Sequence, residues 1–292
     1  MSVPTPFGRS ARVPTADPVP VQVYTPQRLR MPQPGAYLRD LWDRRAFAYE
    51  LARTDLRAKN VGTMFGQAWL VINPLLLAGV YYLLVNILRD RQRGSEFLAH
   101  LMATLFAYTF FSTSVSASAK AVTRSGKLIL NTAFPRSLLP ISSVMSAFVR
   151  FLPTMGVYAV MHLTSGQPVS FAMLLALPVL VEIVVFALGV SLLLSAVQVY
   201  FRDLANVLPY LLRVWLYISP VLYLTDEVPS ALERYLVLNP LYPMLAAWSD
   251  ALVRAQVPSG ADVLQGALWA LAALLVGGLF FVSREREFAV RL

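Results

Sequence analysis

From residue 66 onward the apolar residues of this chain fall into long blocks, broken by short polar stretches. A block of about 20 such residues matches the length a helix needs to cross a hydrocarbon core of about 30 Å. The pattern predicts spans at 66–88, 97–118, 139–161, 171–197, 204–224 and 263–283, with Pro74 bending the first and Pro209 and Pro220 within or near the ends of the fifth. The expected fold is all-α, a polytopic membrane protein with six transmembrane helices.

Three stretches follow other patterns. Between 37 and 59, Leu38, Leu41, Trp42, Tyr49, Ala52 and Leu56 recur at helical spacing, while Arg39, Asp40, Arg44, Glu50, Arg53 and Arg57 take other faces. That spacing predicts an amphipathic helix in the membrane interface, or one packed on a partner subunit. Between spans five and six, Leu236, Val237, Leu238, Leu241, Tyr242, Leu245, Ala246 and Trp248 are interrupted by Asn239-Pro240 and Pro243. So apolar a connection predicts one or two short re-entrant helices, serving either as an outer gate or as packing for the bundle. Pro4, Pro6, Pro14, Pro18, Pro20, Pro26, Pro32 and Pro34 leave the beginning of the chain without helix and with little to bury, the mark of a disordered tail. It shows no apolar block of the kind a signal peptide carries. The expected organisation is a Pro-rich tail at 1–36, an interface helix at 37–60 and a six-helix domain at 61–292.

Composition sharpens this reading. Hydrophobic residues make up 57% and charged residues 14%, against about 25% charged in an ordinary soluble domain. The formal net charge of +9 is concentrated ahead of span one and in the connection with Lys120, Arg124, Lys127 and Arg136. Basic connections stay in the cytoplasm, so both termini are expected there. The uncharged 163–170 connection and the acid-rich 225–262 connection fall outside. Only Arg89, Arg91 and Arg93 run against the bias, partly offset by Asp90 and Glu96. Anionic lipid, not nucleic acid, is the partner this distribution suggests. Arg150, Glu182 and Arg213 fall within spans, where a charge needs a partner or water. Arg150 and Glu182 come to similar depth and are expected to pair, with Arg213 as the rival partner for Glu182.

Little chemistry is written here. Cysteine is absent, which removes thiolate and disulfide chemistry. His100 and His162 are isolated, and with Glu182 and Asp203 they form no evident set of acids, bases or metal ligands. No GxxxxGK[ST] phosphate loop occurs. No catalytic, cofactor-binding or metal site is expected in this chain.

Four segments carry a family resemblance: GTMFGQAWLVINPLLLAGVYYLL at 62–84, KLILNTAFPRSLLPIS at 127–142, VYFRDLANVLPYLLRVWLYISPVLY at 199–223 and LNPLYPMLAAWSDAL at 238–252. In this order around the spans, they resemble the membrane (permease) subunit of type 2 ABC exporters, in the branch moving lipid-linked polysaccharides such as O-antigens, teichoic acids and cell-wall galactan. The resemblance implies a homodimer in the bacterial cytoplasmic membrane, bound to two copies of a separate nucleotide-binding subunit that holds ATP and Mg. It implies coupling to that subunit through Lys127, Asn131, Pro135 and Arg136, and through Arg202 and Asp203 of the YFRD turn; contact with lipid headgroups is the alternative for the basic residues. Tyr81, Tyr82, Phe106, Tyr108, Phe110, Phe111, Trp215 and Tyr217 are candidates to line a glycan passage between protomers, or else to pack helices. Export of drugs or lipids by the same class of machine, and secondary transport, are the competing readings.

Overall fold

The computed structural model describes residues 34–58, 64–89, 94–229, 232, 235, 236 and 238–291. The expected tail up to residue 33, and Arg91 and Arg93 of the first connection, lie outside the described residues. The chain is all-helical: α1 (Pro34–Asp43), α2 (Arg45–Ala58), α3 (Trp69–Arg89), α4 (Ser95–Ala119), α5 (Ala121–Arg124), α6 (Gly126–Asn131), α7 (Leu138–Thr164), α8 (Ala176–Tyr200), α9 (Leu204–Ile218), α10 (Leu241–Leu252), α11 (Gly260–Arg284) and α12 (Phe288–Arg291). Among the described residues, five stretches are long and apolar enough to cross a membrane, namely 66–87, 95–119, 138–164, 171–200 and 260–291. The fifth expected span is the exception, since α9 has only 15 residues, or about 22 Å.

Helix α4 is the axis of the bundle. Nearly every side chain from Phe97 to Val115 is enclosed, and α3, α7, α8, α9 and α10 all pack on it. By contrast α3 is a loosely held outer helix, with Leu76, Val80, Leu83 and Ile87 exposed to the surroundings. The most extensive pairing joins α8 to α11, and its cause is the absence of side chains. A Cβ on Gly189 would overlap the backbone of Ala273 and Leu274, and one on Gly277 would overlap the carbonyl of Gly189. Where lipid tails offer no hydrophobic contrast, such close backbone approach is what drives helices together.

Two ends of the bundle can be told apart by their contacts. At the proximal end, Tyr37 of α1 donates to Glu285 Oε2 at 2.7 Å and its hydroxyl lies 2.8 Å from Ser137 Oγ. At the distal end, Gln167 Nε2 donates to Ser95 Oγ at 2.9 Å and Arg254 reaches Glu96 at 3.5 Å. The chain around α9 connects the two. Arg202 contacts the carbonyl of Arg291 at 3.4 Å, whereas Asp226 meets Arg254 at 2.5 Å. The missing length of α9 is supplied by the irregular segment that follows it, in which Ser219 and Val221 are fully enclosed.

Irregular backbone inside a membrane protein needs its polar groups satisfied by protein. Asn239 meets that need. Its Oδ1 accepts from Trp215 Nε1 at 2.7 Å and from the backbone N–H of Leu241 at 3.1 Å, and its Nδ2 donates to Ser219 Oγ at 3.0 Å. Asn239-Pro240 is thus the inner turn from which α10 rises towards the distal end. Residues Leu241 to Ser249 of α10 are buried on every side. Across Leu241–Leu252 the geometry is that of packing sealed into the bundle, and part of the expected gate segment, at 230, 231, 233, 234 and 237, lies outside the described residues.

The amphipathic segment begins at Pro34, a residue suited to a first helical turn, and divides at Arg44. Arg44 bonds Asp40 at 2.8 Å and the carbonyl of Ala133 at 2.6 Å. Beyond the break, α2 lays Ala48 and Ala52 against α7. Small residues at those two places let a charged helix lie close against an apolar one.

Candidate functional site

The expected pairing of Arg150 with Glu182 does not occur, nor does Arg213 reach Glu182. Arg150 Nη1 lies 3.9 Å from Asp55 Oδ2, an oxygen that also accepts from Ser146 Oγ at 2.6 Å. Glu182 is buried on another face, against Gly266 and Met244, and its Oε2 has no hydrogen-bond partner. Similar depth along two helices is not enough for a pair, because helix rotation places the two charges on different sides of the bundle. The sequence pattern weighed only charges within the spans and so passed over Asp55 on α2.

Of the eight aromatic residues expected along a passage, most are committed inside the chain. Phe106, Tyr108, Phe110 and Phe111 are all buried, Phe110 between Phe148 and Phe151 and Phe111 between Phe186 and Trp215. Tyr108 donates to the carbonyl of Leu212. Tyr82 stacks on Phe97, and Trp215 bonds Asn239. These contacts account for them as packing within one chain. Tyr81 and Tyr217 stand apart. Their hydroxyls lie near each other where α3 approaches α9, with Arg213 close enough to act on Tyr81.

That pair belongs to a stripe. Asn206, Tyr210, Arg213 and Tyr217 are all exposed, at steps of four, three and four that share one helix face. Leu208, Leu212 and Leu216 hold the opposite face against the core. No carboxylate among the described residues forms an ion pair with Arg213. An arginine flanked by two tyrosines and an asparagine is poorly matched to lipid tails, and such groups mark a partner or a wet path.

The second site is a knob at the proximal end. Val122, Ile129, Phe281 and Phe288 form a small core that anchors α6, while Lys127, Leu130, Asn131, Thr132 and Ala133 face outward. Pro135 is buried. Arg136 is half-buried, and its backbone N–H and guanidinium both donate to Glu285. Burial holds the guanidinium of Arg136 below its ordinary pKa, opposed by the negative charge of Glu285. The Tyr37 hydroxyl is pushed up by burial first and by Glu285 second. Arg136 therefore fixes the base of the knob, and Lys127 and Asn131 are the members of the set free to meet another protein. Arg202 and Asp203 lie exposed at the same end. Residues 285–291 tie these parts together, because Glu285 holds Arg136, Glu287 accepts from Tyr200 at 2.7 Å and Arg291 contacts Arg202. Sequence reasoning missed that clamp; the acids Glu285 and Glu287 amid Arg284, Arg286 and Arg291 were its one visible signal.

The two histidines are hydrogen-bonded core residues. His100 Nδ1 lies 2.7 Å from Ser249 Oγ and its Nε2 3.1 Å from the Tyr223 carbonyl, and His162 Nε2 lies 3.0 Å from the Pro168 carbonyl.

Comparison with known proteins adds what geometry alone does not. Residues 50–253 match the family described as ABC-2 type transporter. The chain is 30% identical over 201 residues to an O-antigen export system permease protein RfbA of Klebsiella pneumoniae, covering 68% of this chain and 77% of that one. A protein of the same name from Myxococcus xanthus is 29% identical over 255 residues, or 86% of this chain and 97% of the other. The polysialic acid transport protein KpsM of Escherichia coli is 23% identical over 230 residues, covering 75% and 86%.

Proposed function

The chain belongs to the ABC-2 type transporter membrane family, and from that premise we propose that it is the membrane subunit of an ATP-driven exporter of lipid-linked polysaccharide. The observation that carries the substrate class is the extent of its likeness to O-antigen export permeases, which spans 97% of the Myxococcus protein. Membership of the family implies an ATPase partner; two copies of it would bind ATP and Mg2+, and this chain would supply the passage. The proximal end is the cytoplasmic one, carrying both termini, and it receives the ATPase at Lys127, Asn131, Arg202 and Asp203. Six passes follow if the chain from Arg202 to Asp226 counts as one, with α9 as its helical part.

Two copies would meet along α3 and α9. The stripe Asn206–Tyr210–Arg213–Tyr217, with Tyr81 beside it, then faces a polar passage instead of lipid. Tyrosine rings offer both a stacking face and a hydroxyl to a sugar, and Arg213 adds donors.

The test uses the absence of native cysteine. Tyr210→Cys and Tyr217→Cys in the assembled transporter should react with a membrane-impermeant thiol reagent, while Leu76→Cys, on the exposed apolar face of α3, should not. Expression in a bacterium lacking its own O-antigen permease, together with the cognate ATPase, should restore surface glycan with wild type, and Arg213→Ala should reduce it at least tenfold. Failure of both the Tyr210→Cys and Tyr217→Cys variants to react would remove the stripe from the passage. Assembly with the ATPase but no glycan export would remove the substrate class.

A further inference from the structure

We propose that the cleft between α3, α4 and α7 binds the phosphate of an anionic lipid, with Arg150 as its counter-charge. The cleft holds about 200 Å³, and Trp69, Asn73, Thr109, Thr113, Arg150 and Thr154 are among the residues that line it. The side chain of Arg150 is only 13% exposed. Its Nε and Nη2 are buried and have no hydrogen-bond partner. Asp55 engages the opposite edge of the guanidinium and does not line the cleft, and no carboxylate among the described residues does.

A buried guanidinium with two idle N–H groups is built to grip an anion, and a phosphate presents oxygens in the matching fork. The other polar groups agree in sign. Asn73 carries an amide donor at the exposed side of the cleft, and neither Thr109 nor Thr113 spends its hydroxyl hydrogen on another described residue. Trp69 supplies an indole face of the kind that settles at a membrane interface.

Depth favours a lipid over a dissolved ion. The 27 residues of α7 span about 40 Å, roughly 10 Å more than the hydrocarbon core. The side chain of Arg150 leans towards the N-terminus of its helix, down to the level of Ser146, since both meet Asp55 Oδ2. Helix α2 reaches that level with Glu50, Arg53 and Arg57 exposed, so the headgroup layer extends there too. A phosphate at this place has water and headgroups on one side and acyl chains on the other. The inference rests on membrane embedding and not on the identity of the exported glycan.

The test titrates the purified transporter, in phosphatidylcholine nanodiscs, with phosphatidylglycerol or with dodecyl phosphate, and counts bound lipid by native mass spectrometry. Wild type should retain one anionic lipid per chain. Arg150→Gln should weaken retention at least tenfold, Arg150→Lys should keep part of it, and Thr113→Leu, which fills the cleft but leaves the Asp55 contact intact, should exclude the lipid. Preference for phosphatidylglycerol would make the ligand a resident phospholipid; preference for dodecyl phosphate would make it a phosphate-headed carrier. Equal retention in wild type and Thr113→Leu, or no binding above phosphatidylcholine, would overturn the site. Thr113→Leu decides the matter should Arg150→Gln fail to fold.

Discussion

Asn239 shows how much of this fold rests on one side chain. It satisfies the indole of Trp215, the first N–H of α10 and the hydroxyl of Ser219. Asn239→Leu keeps the branching of the side chain but orphans the half-buried indole N–H of Trp215 and the buried N–H of Leu241, each costing about 1–3 kcal/mol. The expected result is a thermal unfolding midpoint well below wild type in detergent, and loss of the transporter from the membrane at growth temperature. An unchanged midpoint would mean that water replaces the amide. The residue was visible in the sequence only as part of an Asn-Pro turn. What it bonds depends on α9 ending 21 residues earlier, at Ile218, which local pattern cannot register. Glu182 is the contrasting case, a carboxylate whose second oxygen gains nothing from its surroundings. An isolated buried carboxylate is costly to keep ionised, so Glu182→Gln, which keeps the shape and removes the charge, should be at least as stable as wild type in the same assay.

At the scale of elements, the α8–α11 crossing is set by Gly189 and Gly277, neither of which stands out in an uninterrupted apolar run. Gly277→Leu places a side chain where the Gly189 carbonyl lies, and overpacking of this kind costs about 1–3 kcal/mol or more. Reduced yield of folded protein is expected from Gly277→Leu and near-wild-type yield from Gly278→Leu, because a Cβ on Gly278 meets open space. The distal connections depend instead on charge. Arg254 gathers Glu96, Asp226 and Asp250 from three separate segments. Its hydrogen bond to Asp226 lowers the pKa of that carboxyl and raises that of the guanidinium, while burial raises the pKa of Asp250. A lowered carboxyl contributes stability above its unfolded value, near pH 3.9, and loses it as pH falls through the folded value. Asp250 acts with the opposite sign and is relieved as it protonates. Hydrogen exchange of the turn at 225–228 should therefore stay slow at neutral and mildly acidic pH and quicken below the ordinary carboxylate range. Arg254→Gln should exchange fast at every pH. Glu96 and Asp226 are exposed, so their two pairs with Arg254 should each change global stability by no more than ~1 kcal/mol.

For the whole molecule, the proximal clamp makes a statement about force. Helix α6 is anchored by Ile129, and its base is held by Arg136 on Glu285, so a push on Lys127 or Asn131 is transmitted to α7 and α11 together. Lys127→Glu should weaken association with the ATPase and leave the midpoint of the isolated membrane subunit unchanged. Glu285→Gln should do the reverse, lowering that midpoint by loosening the clamp. If both variants lower stability and association equally, the knob and its base are one structural unit with no separable docking surface. The sequence by itself determined that the chain is a helical membrane protein, where its long spans lie and which family it joins, because block hydrophobicity and short motifs are local properties of the chain. It did not determine which face of each helix turns inward. Arg150 turned to Asp55 instead of Glu182, four expected passage aromatics turned into the core, and the tail end at 285–291 became a clamp. Those choices depend on the rotation and close approach of helices far apart in sequence, which glycines, alanines and a few buried hydrogen bonds decide, and an apolar run looks alike from every side until its neighbours are in place.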